Sequence, residues 1–333
     1  MSPLTLVVLV VLLALVFDYA NGFHDAANSI ATVVATRVLT PLQAVALAAV
    51  CNFIAAFFLG TGVAATIGRG FVNTSIVTPY VILAGVIGAI IWNFLTWYVK
   101  LPISSSHALI GGYAGAAVAK KGIHGLVVGR WPSTLAFIII APVIGLVLGY
   151  TLMLIVYWVF RRFSPTRIDR WFRHLQIASA ALLSCAHGTN DAQKSMGIIT
   201  AVLVAGGIES SFHVPDWVIL ACAAAMGMGT LSGGWRVVHT MGTRLTRLKP
   251  RSGFSAEGGA AVSILIATWL GLPVSTTHVV AGAIAGVGSI QRVRAVRWNV
   301  ATDIVTAWVL TIPAAALVSA ITFFLIRIFE PNA

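Results

Sequence analysis

Two seven-residue stretches decide the fold: Leu101-Pro102-Ile103-Ser104-Ser105-Ser106-His107 and Leu272-Pro273-Val274-Ser275-Thr276-Thr277-His278. They stand 171 residues apart. Each continues into a glycine-rich run, Gly111-Gly112-Tyr113-Ala114-Gly115 in one and Gly282-Ala283-Ile284-Ala285-Gly286 in the other. Pro142 and Pro313 keep the same spacing inside two similar apolar segments. Upstream, Asn21-Gly22-Phe23-His24-Asp25-Ala26-Ala27-Asn28-Ser29 aligns with His187-Gly188-Thr189-Asn190-Asp191-Ala192-Gln193-Lys194-Ser195, 166 residues on. Each half therefore holds the same ordered set: Gly-x-x-Asp, then Pro-x-Ser-Ser/Thr-Ser/Thr-His, then a helix with one proline. Self-similarity on this scale marks a duplicated unit. Packing alone would account for the glycines, but not for polar motifs recurring at matched positions.

Those motifs sit in an unusually apolar chain. Of 333 residues, 59% are hydrophobic and 9% charged, where a soluble globular chain carries roughly 25% charged residues. Mean hydropathy is +0.95. This is too little charge to coat a soluble surface, which argues against disorder, a nucleic-acid module and a cytosolic enzyme. The net charge of +12 lies in short gaps between apolar runs, where membrane proteins carry it. Cys51, Cys185 and Cys222 all fall inside apolar runs and read as small core residues, with neither a disulfide framework nor a metal site.

Apolar stretches run over roughly 4–17, 42–68, 79–99, 108–119, 134–160, 177–186, 196–208, 217–235, 258–273, 279–288 and 304–326. A membrane span needs ~20 apolar residues. Several stretches reach that length, and others are short and broken by the polar motifs. Short, Gly/Pro-interrupted segments at matched places mark the discontinuous helices of secondary transporters. The expected fold is an all-α polytopic membrane protein. It has two inverted-topology repeats with broken helices and re-entrant helical hairpins. The expected units are an N-terminal transmembrane repeat (1–160), a short basic cytoplasmic linker (161–174) and a C-terminal inverted repeat (175–333). The apolar N-terminus has no basic n-region or clear cleavage site and reads as a retained helix.

Three basic loops set an orientation. Arg161, Arg162, Arg167, Arg170 and Arg173 form one, and Arg244, Arg247, Lys249 and Arg251 a second. Arg292, Arg294 and Arg297 form the third. Two crossings separate the first from the second, and a segment that enters and returns separates the second from the third. All three can then be cytoplasmic, as the positive-inside rule asks. Both termini then fall outside the cell membrane, as does the acidic loop with Glu209 and Asp216. Lys120, Lys121 and Arg130 fall outside too, against the rule.

Asp25 and Asp191 lie in Gly-interrupted apolar helices. A carboxylate at membrane depth is costly unless paired, protonated or facing water, so it reads as a coupling-ion or substrate group. Asn21, Asn28 and Asn190 add side-chain carbonyls beside them. Such a set can cage sodium or bind a proton. In Ser104, Ser105, Ser106, Ser275, Thr276 and Thr277 the sequence offers six hydroxyls. Each trio follows a proline, a residue tolerated where a helix begins. Two helix N-termini with free N–H groups and hydroxyls suit a tetrahedral oxyanion, although Ser and Thr can also serve only their own helices. His24, His107, His187 and His278 are either hydrogen-bonded core residues or proton carriers. Lys194 stands where the first half has Asn28. It either replaces a bound cation beside Asp191 or forms a static ion pair. Two aspartates and a dianionic oxyanion, less one lysine, leave an excess of negative charge that a poorly solvated site cannot hold. A cation must therefore enter with the anion if all these groups share one site. No cofactor, resident metal or catalytic residue is expected. A channel, or an intramembrane enzyme using His and Asp, is the competing class; catalytic sets are usually single, whereas these motifs recur.

The paired Gly-x-x-Asp and Pro-x-Ser-x-x-His motifs, in this order, resemble the inorganic phosphate transporter (PiT) family, bacterial low-affinity permease branch. The resemblance spans essentially the whole chain. It implies a symporter with an inverted-repeat core, in which Asp25, Asn28 and Asp191 match coupling-ion positions. Ser104 to Ser106 and Ser275 to Thr277 match phosphate-binding hairpin tips. His24 and Lys194 depart from the pattern of sodium-coupled members and point to the branch linked to protons and neutral metal–phosphate complexes. The expected function is import of inorganic phosphate with protons by alternating access, with Mg2+ or Ca2+ carried alongside phosphate as an option. The alternatives are sodium coupling and a sulfate permease. The expected partners are inorganic phosphate and the lipid bilayer, with no nucleic acid; the resemblance allows a homodimer.

Overall fold

The computed structural model describes residues 2–290 and 296–331; Arg292 and Arg294 of the third basic loop lie outside the described residues. Twelve helices account for most of these residues: α1 (Pro3–Ala35), α2 (Pro41–Ala55), α3 (Gly62–Gly70), α4 (Pro79–Tyr98), α5 (Ser105–Lys121) and α6 (Trp131–Val159), then α7 (Pro165–Ala205), α8 (Asp216–Ser232), α9 (Trp235–His239), α10 (Pro250–Trp269), α11 (Thr276–Ser289) and α12 (Trp298–Phe329). Among the described residues, four stretches are long and apolar enough to cross a membrane: α1, α4, Val128–Val159 (which contains α6) and α12. The all-helical membrane architecture expected from sequence is thus what the chain forms.

The elements recur in order. A long helix (α1, α7) is followed by a broken pair (α2–α3, α8–α9), a hairpin (α4–α5, α10–α11) and a helix with one internal proline, Pro142 or Pro313. The backbone repeats too. Past α1, Arg37 N–H reaches Val34 O and Val38 N–H reaches Val33 O; past α7, Gly207 and Ile208 do the same to Val204 and Leu203. The hairpin turns match in the same way. Lys100 and Gly271 both adopt positive φ, 64° and 68°, and Leu101 and Leu272 close the same bond back to Thr96 and Ala267. This paired closure ends a helix by turning one residue left-handed.

The related long helices run in opposite directions. Val7 of α1 lies against Gly206 of α7, and Thr36 bonds Gln176. Asp25 sits beside Asp191. Numbers therefore rise on one helix as they fall on the other, which makes the second copy inverted. The last helix of each repeat packs on the other repeat's hairpin. A Cβ at Gly115 of α5 would strike the backbone of Ala316 in α12, and one at Gly286 of α11 the backbone of Leu146 in α6. The glycine runs after each motif serve this contact. Outward, α6 and α12 expose Ile139, Val143, Trp158, Val309, Leu317 and Ile328, an apolar coat suited to lipid.

The first two basic stretches gather at one end. Arg173 donates to Arg37 O at 2.7 Å, and Arg251 faces Asp169 at 3.7 Å. The expected linker differs from the structure: α7 begins at Pro165, so Arg167, Arg170 and Arg173 are helical. The Ser164-Pro165 start and the absence of a break before Gln176 let the span extend beyond its apolar part. Glu330, just past α12, faces Tyr80 at the start of α4. Lys120 bonds Thr78 beside it. The start of α1 and the end of α12 thus share the face opposite the arginines.

Candidate functional site

Ser104 and Ser275 are the N-caps of α5 and α11. Each hydroxyl accepts the N–H of the histidine three residues on, at 3.2 Å in both copies. Capping supplies an acceptor for an otherwise orphaned helix N–H. The two hairpin tips therefore open helices, as the sequence predicts, and they meet. The rings of His107 and His278 lie 4.8 Å apart edge to face. His278 also stacks on Trp308 of α12 at 3.8 Å, whose indole N–H donates to Pro102 O at 3.1 Å.

Each tip is held by the long helix of the other repeat. Asn28 of α1 donates to Thr277 Oγ1 at 2.9 Å and to Thr276 Oγ1 at 3.4 Å. Its counterpart Lys194 of α7 donates to Ser106, the counterpart of Thr277. Lys194 also reaches Asp191 Oδ1 at 2.5 Å and Val274 O at 3.1 Å. All three ammonium hydrogens thus find oxygens, a hydroxyl, a carboxylate and a backbone carbonyl. Those oxygens are hard donors of the kind that suit a small cation. At 1% exposure, Lys194 does not snorkel to an interface. Asp191 Oδ2 accepts from Thr276 at 3.4 Å and faces His187 Nε2 at 3.4 Å.

Asp25 faces this group from α1. Asp25, His187 and Asp191 each offer a ligand atom, and these lie within 4.8 Å of one another. The sequence spacing gave no reason to expect this cluster, because its members come from two helices. His24 Nδ1 lies 3.0 Å from Asp25 Oδ1, so a histidine flanks each acid. His187 is oriented from behind by Asn52 Oδ1 at 3.3 Å, and Asn52 donates to Thr230 Oγ1 at 2.9 Å.

The structure does not treat the other candidates alike. Asn190 turns to its own repeat's hairpin, donating to Thr268 Oγ1 at 2.8 Å and Leu272 O at 3.2 Å. It positions the tip. Asn21 stays buried with neither amide atom bonded. Of the six hydroxyls, Ser105 is left without a partner; the rest are engaged by caps, Asn28, Lys194 or Asp191.

Several buried polar residues escaped the sequence reading. Glu257 of α10 is fully buried. It accepts from Thr32 at 2.5 Å, from Gln176 at 2.9 Å and from Ser179. Gln193 caps α3, its Oε1 accepting Val63 N–H at 2.9 Å. Asp18 is a third buried aspartate beside Asp25 and Asp191. Asp18 and Glu257, like Asp25 and Asp191, are acids inside apolar runs. They lacked only a repeated motif to draw the eye.

The chain resembles known proteins along its length. The phosphate transporter family pattern matches residues 21–319. A protein of Rhizobium meliloti (strain 1021) named "Probable low-affinity inorganic phosphate transporter" is 54% identical over 320 residues, covering 96% of both chains. A Bacillus subtilis (strain 168) protein of the same name is 45% identical, covering 97% of this chain and 98% of its own. A solved structure titled "The sodium-dependent phosphate transporter" shares the fold with a TM-score of 0.91 at 23% identity, over 97% of this chain and 99% of that one. With two crossed hairpin tips, two inverted copies and relatives that match end to end, the chain belongs to the phosphate transporter (PiT) family.

Proposed function

We propose that this protein imports inorganic phosphate across the cell membrane by symport with protons, through alternating access. The observation that carries this reading is the exchange between repeats at the tips: Asn28 holds Thr277 while Lys194 holds Ser106. Two capped helix N-termini converge there with hydroxyl, amide and ammonium donors, the equipment for a tetrahedral anion. Ser105 and the donors now spent on neighbouring side chains are the groups that phosphate would take over. The same contacts tie each hairpin to the opposite long helix, so a rocking of one repeat against the other opens the site to either face. Proton coupling is supported by Lys194, which occupies a cation-like ring of oxygens, and by His24 and His187 beside the two acids. In this reading both termini lie outside and the arginine-rich face is cytoplasmic.

The sodium reading has its own support in the Asp25–His187–Asp191 cluster. The discriminating measurement is phosphate uptake into sodium-free proteoliposomes under an inward proton gradient, with and without Mg2+. Accumulation that collapses with a protonophore supports proton coupling. Uptake only after sodium addition rejects it. A requirement for Mg2+ supports a neutral metal–phosphate complex, and sulfate that abolishes phosphate uptake supports the sulfate alternative.

A further inference from the structure

On α1 the polar residues Asp18, Asn21, Asp25, Asn28 and Thr32 recur at alternating spacings of three and four, so they share one face. This strip runs along the buried side of α1, through the central site. Asn28 and Asp25 serve the tips, and Thr32 serves Glu257. Nothing described above uses its upper end. Asp18 is 0% exposed, and neither carboxyl oxygen has a hydrogen-bond partner. Asn21, one turn on, is 1% exposed with both amide atoms unpartnered, and Ser195 of α7 is equally buried with an unpartnered hydroxyl. Ser195 of α7 and Cys222 of α8 are the polar side chains that flank the carboxyl.

The charges facing Asp18 are few. α7 contributes Asp191 and Lys194, and α8 the Cys222 thiol. The only titratable residues of α4 are Tyr80 and Tyr98, at its two ends. On α1 itself the neighbours are Tyr19, His24 and Asp25. Lys194 has already spent its three hydrogens. An ionised Asp18 would therefore be an unpaired charge in an apolar wall, which is very costly. The Cys222 thiol beside it is a poor ligand for a hard cation such as sodium. A proton needs one oxygen, and Asn21 and Ser195 can accept and donate around the neutral acid.

We propose that Asp18 is a proton-binding site separate from the Asp25–Asp191 group, a station between the terminal face and the centre. Two helical turns, about 10 Å, separate it from Asp25, with Asn21 between them. Ser195 directly follows Lys194 in the chain, so phosphate that draws Lys194 from Asp191 changes the field at Asp18 and with it the proton's hold. The role in coupling rests on the proposed proton symport; occupancy of Asp18 by a proton does not.

The test uses the full chain in lipid. Infrared titration follows protonated carboxyl groups, and sodium-free proteoliposomes follow accumulation under an inward proton gradient. The expected result is a protonated-carboxyl band at neutral pH that is missing from Asp18→Asn and shifted in frequency in Ser195→Ala, which keeps the acid. Gradient-driven accumulation is lost in Asp18→Asn and recovered in Asp18→Glu. Identical carboxyl bands in wild type and Asp18→Asn throughout the titration overturn the proposal, as does wild-type accumulation by Asp18→Asn. If the wild type itself runs only on sodium, the proposed proton symport fails, and the infrared band alone then decides Asp18.

Discussion

At the scale of single residues, burial gives the polar groups large consequences. Lys194 and Asp191 are a wholly buried pair, 2.5 Å apart. Removing one partner of such a pair costs about 3–5 kcal/mol, because the other charge is left behind. Lys194→Met is therefore expected to lose that much stability in detergent unfolding, and Lys194→Met with Asp191→Asn to recover most of it. Equal losses in the single and double variants would refute a coupled pair. Lys194→Asn tests the cation-replacement reading: the expected outcome is uptake that gains a sodium requirement, and wild-type ion dependence would remove the idea. Glu257 is a similar case without a cation. Glu257→Ala strands Thr32, Gln176 and Ser179, at about 1–3 kcal/mol for each buried group left unsatisfied, read as a fall in thermal midpoint.

At the scale of elements, the same turn is built twice with different residues. Gly271 holds positive φ without a Cβ, while the exposed Lys100 holds it with one. The left-handed conformation costs an L-residue about 1–2 kcal/mol. Lys100→Gly is expected to stabilise the first hairpin by about that amount, seen as a higher melting temperature, whereas Gly271→Ala should lower it. Sequence reading found these hairpins because Pro-x-Ser-x-x-His carries its own helix start, a proline followed by a capping serine. It did not find the length of α7, because a run rich in Arg, Asp and Gln looks like a loop when only apolar length is counted. Its arginines stay exposed, and Ile168, Phe172 and Gln176 bury the inner face of that length.

At the scale of the whole molecule, inversion has a direct signature. The start of α1 and the end of α12 lie on the face opposite Arg37, Arg173 and Arg251. Single cysteines at Ser2 and Arg162, in a background lacking the three native ones, are expected to label from opposite sides of sealed cells with an impermeant thiol reagent. Labelling of Ser2→Cys from outside fits the proposed orientation; labelling of both from one side would break the topology.

Class, duplication and motifs were all legible in the amino-acid sequence. Hydropathy, the 171-residue spacing and the capped polar runs are local properties that need no partner to be read. Inversion, too, follows from counting crossings. The tertiary structure alone decided which residues meet. Asn28 finds Thr277, Lys194 finds Ser106, and Asp25 joins His187 and Asp191 only because two antiparallel helices cross and each repeat lays its last helix on the other's hairpin. Such contacts join positions as many as 249 residues apart, and no local pattern encodes them. The same crossing seals Asp18 and Glu257 from water, so a lone acid in an apolar run becomes a buried group that must find a proton or a set of donors.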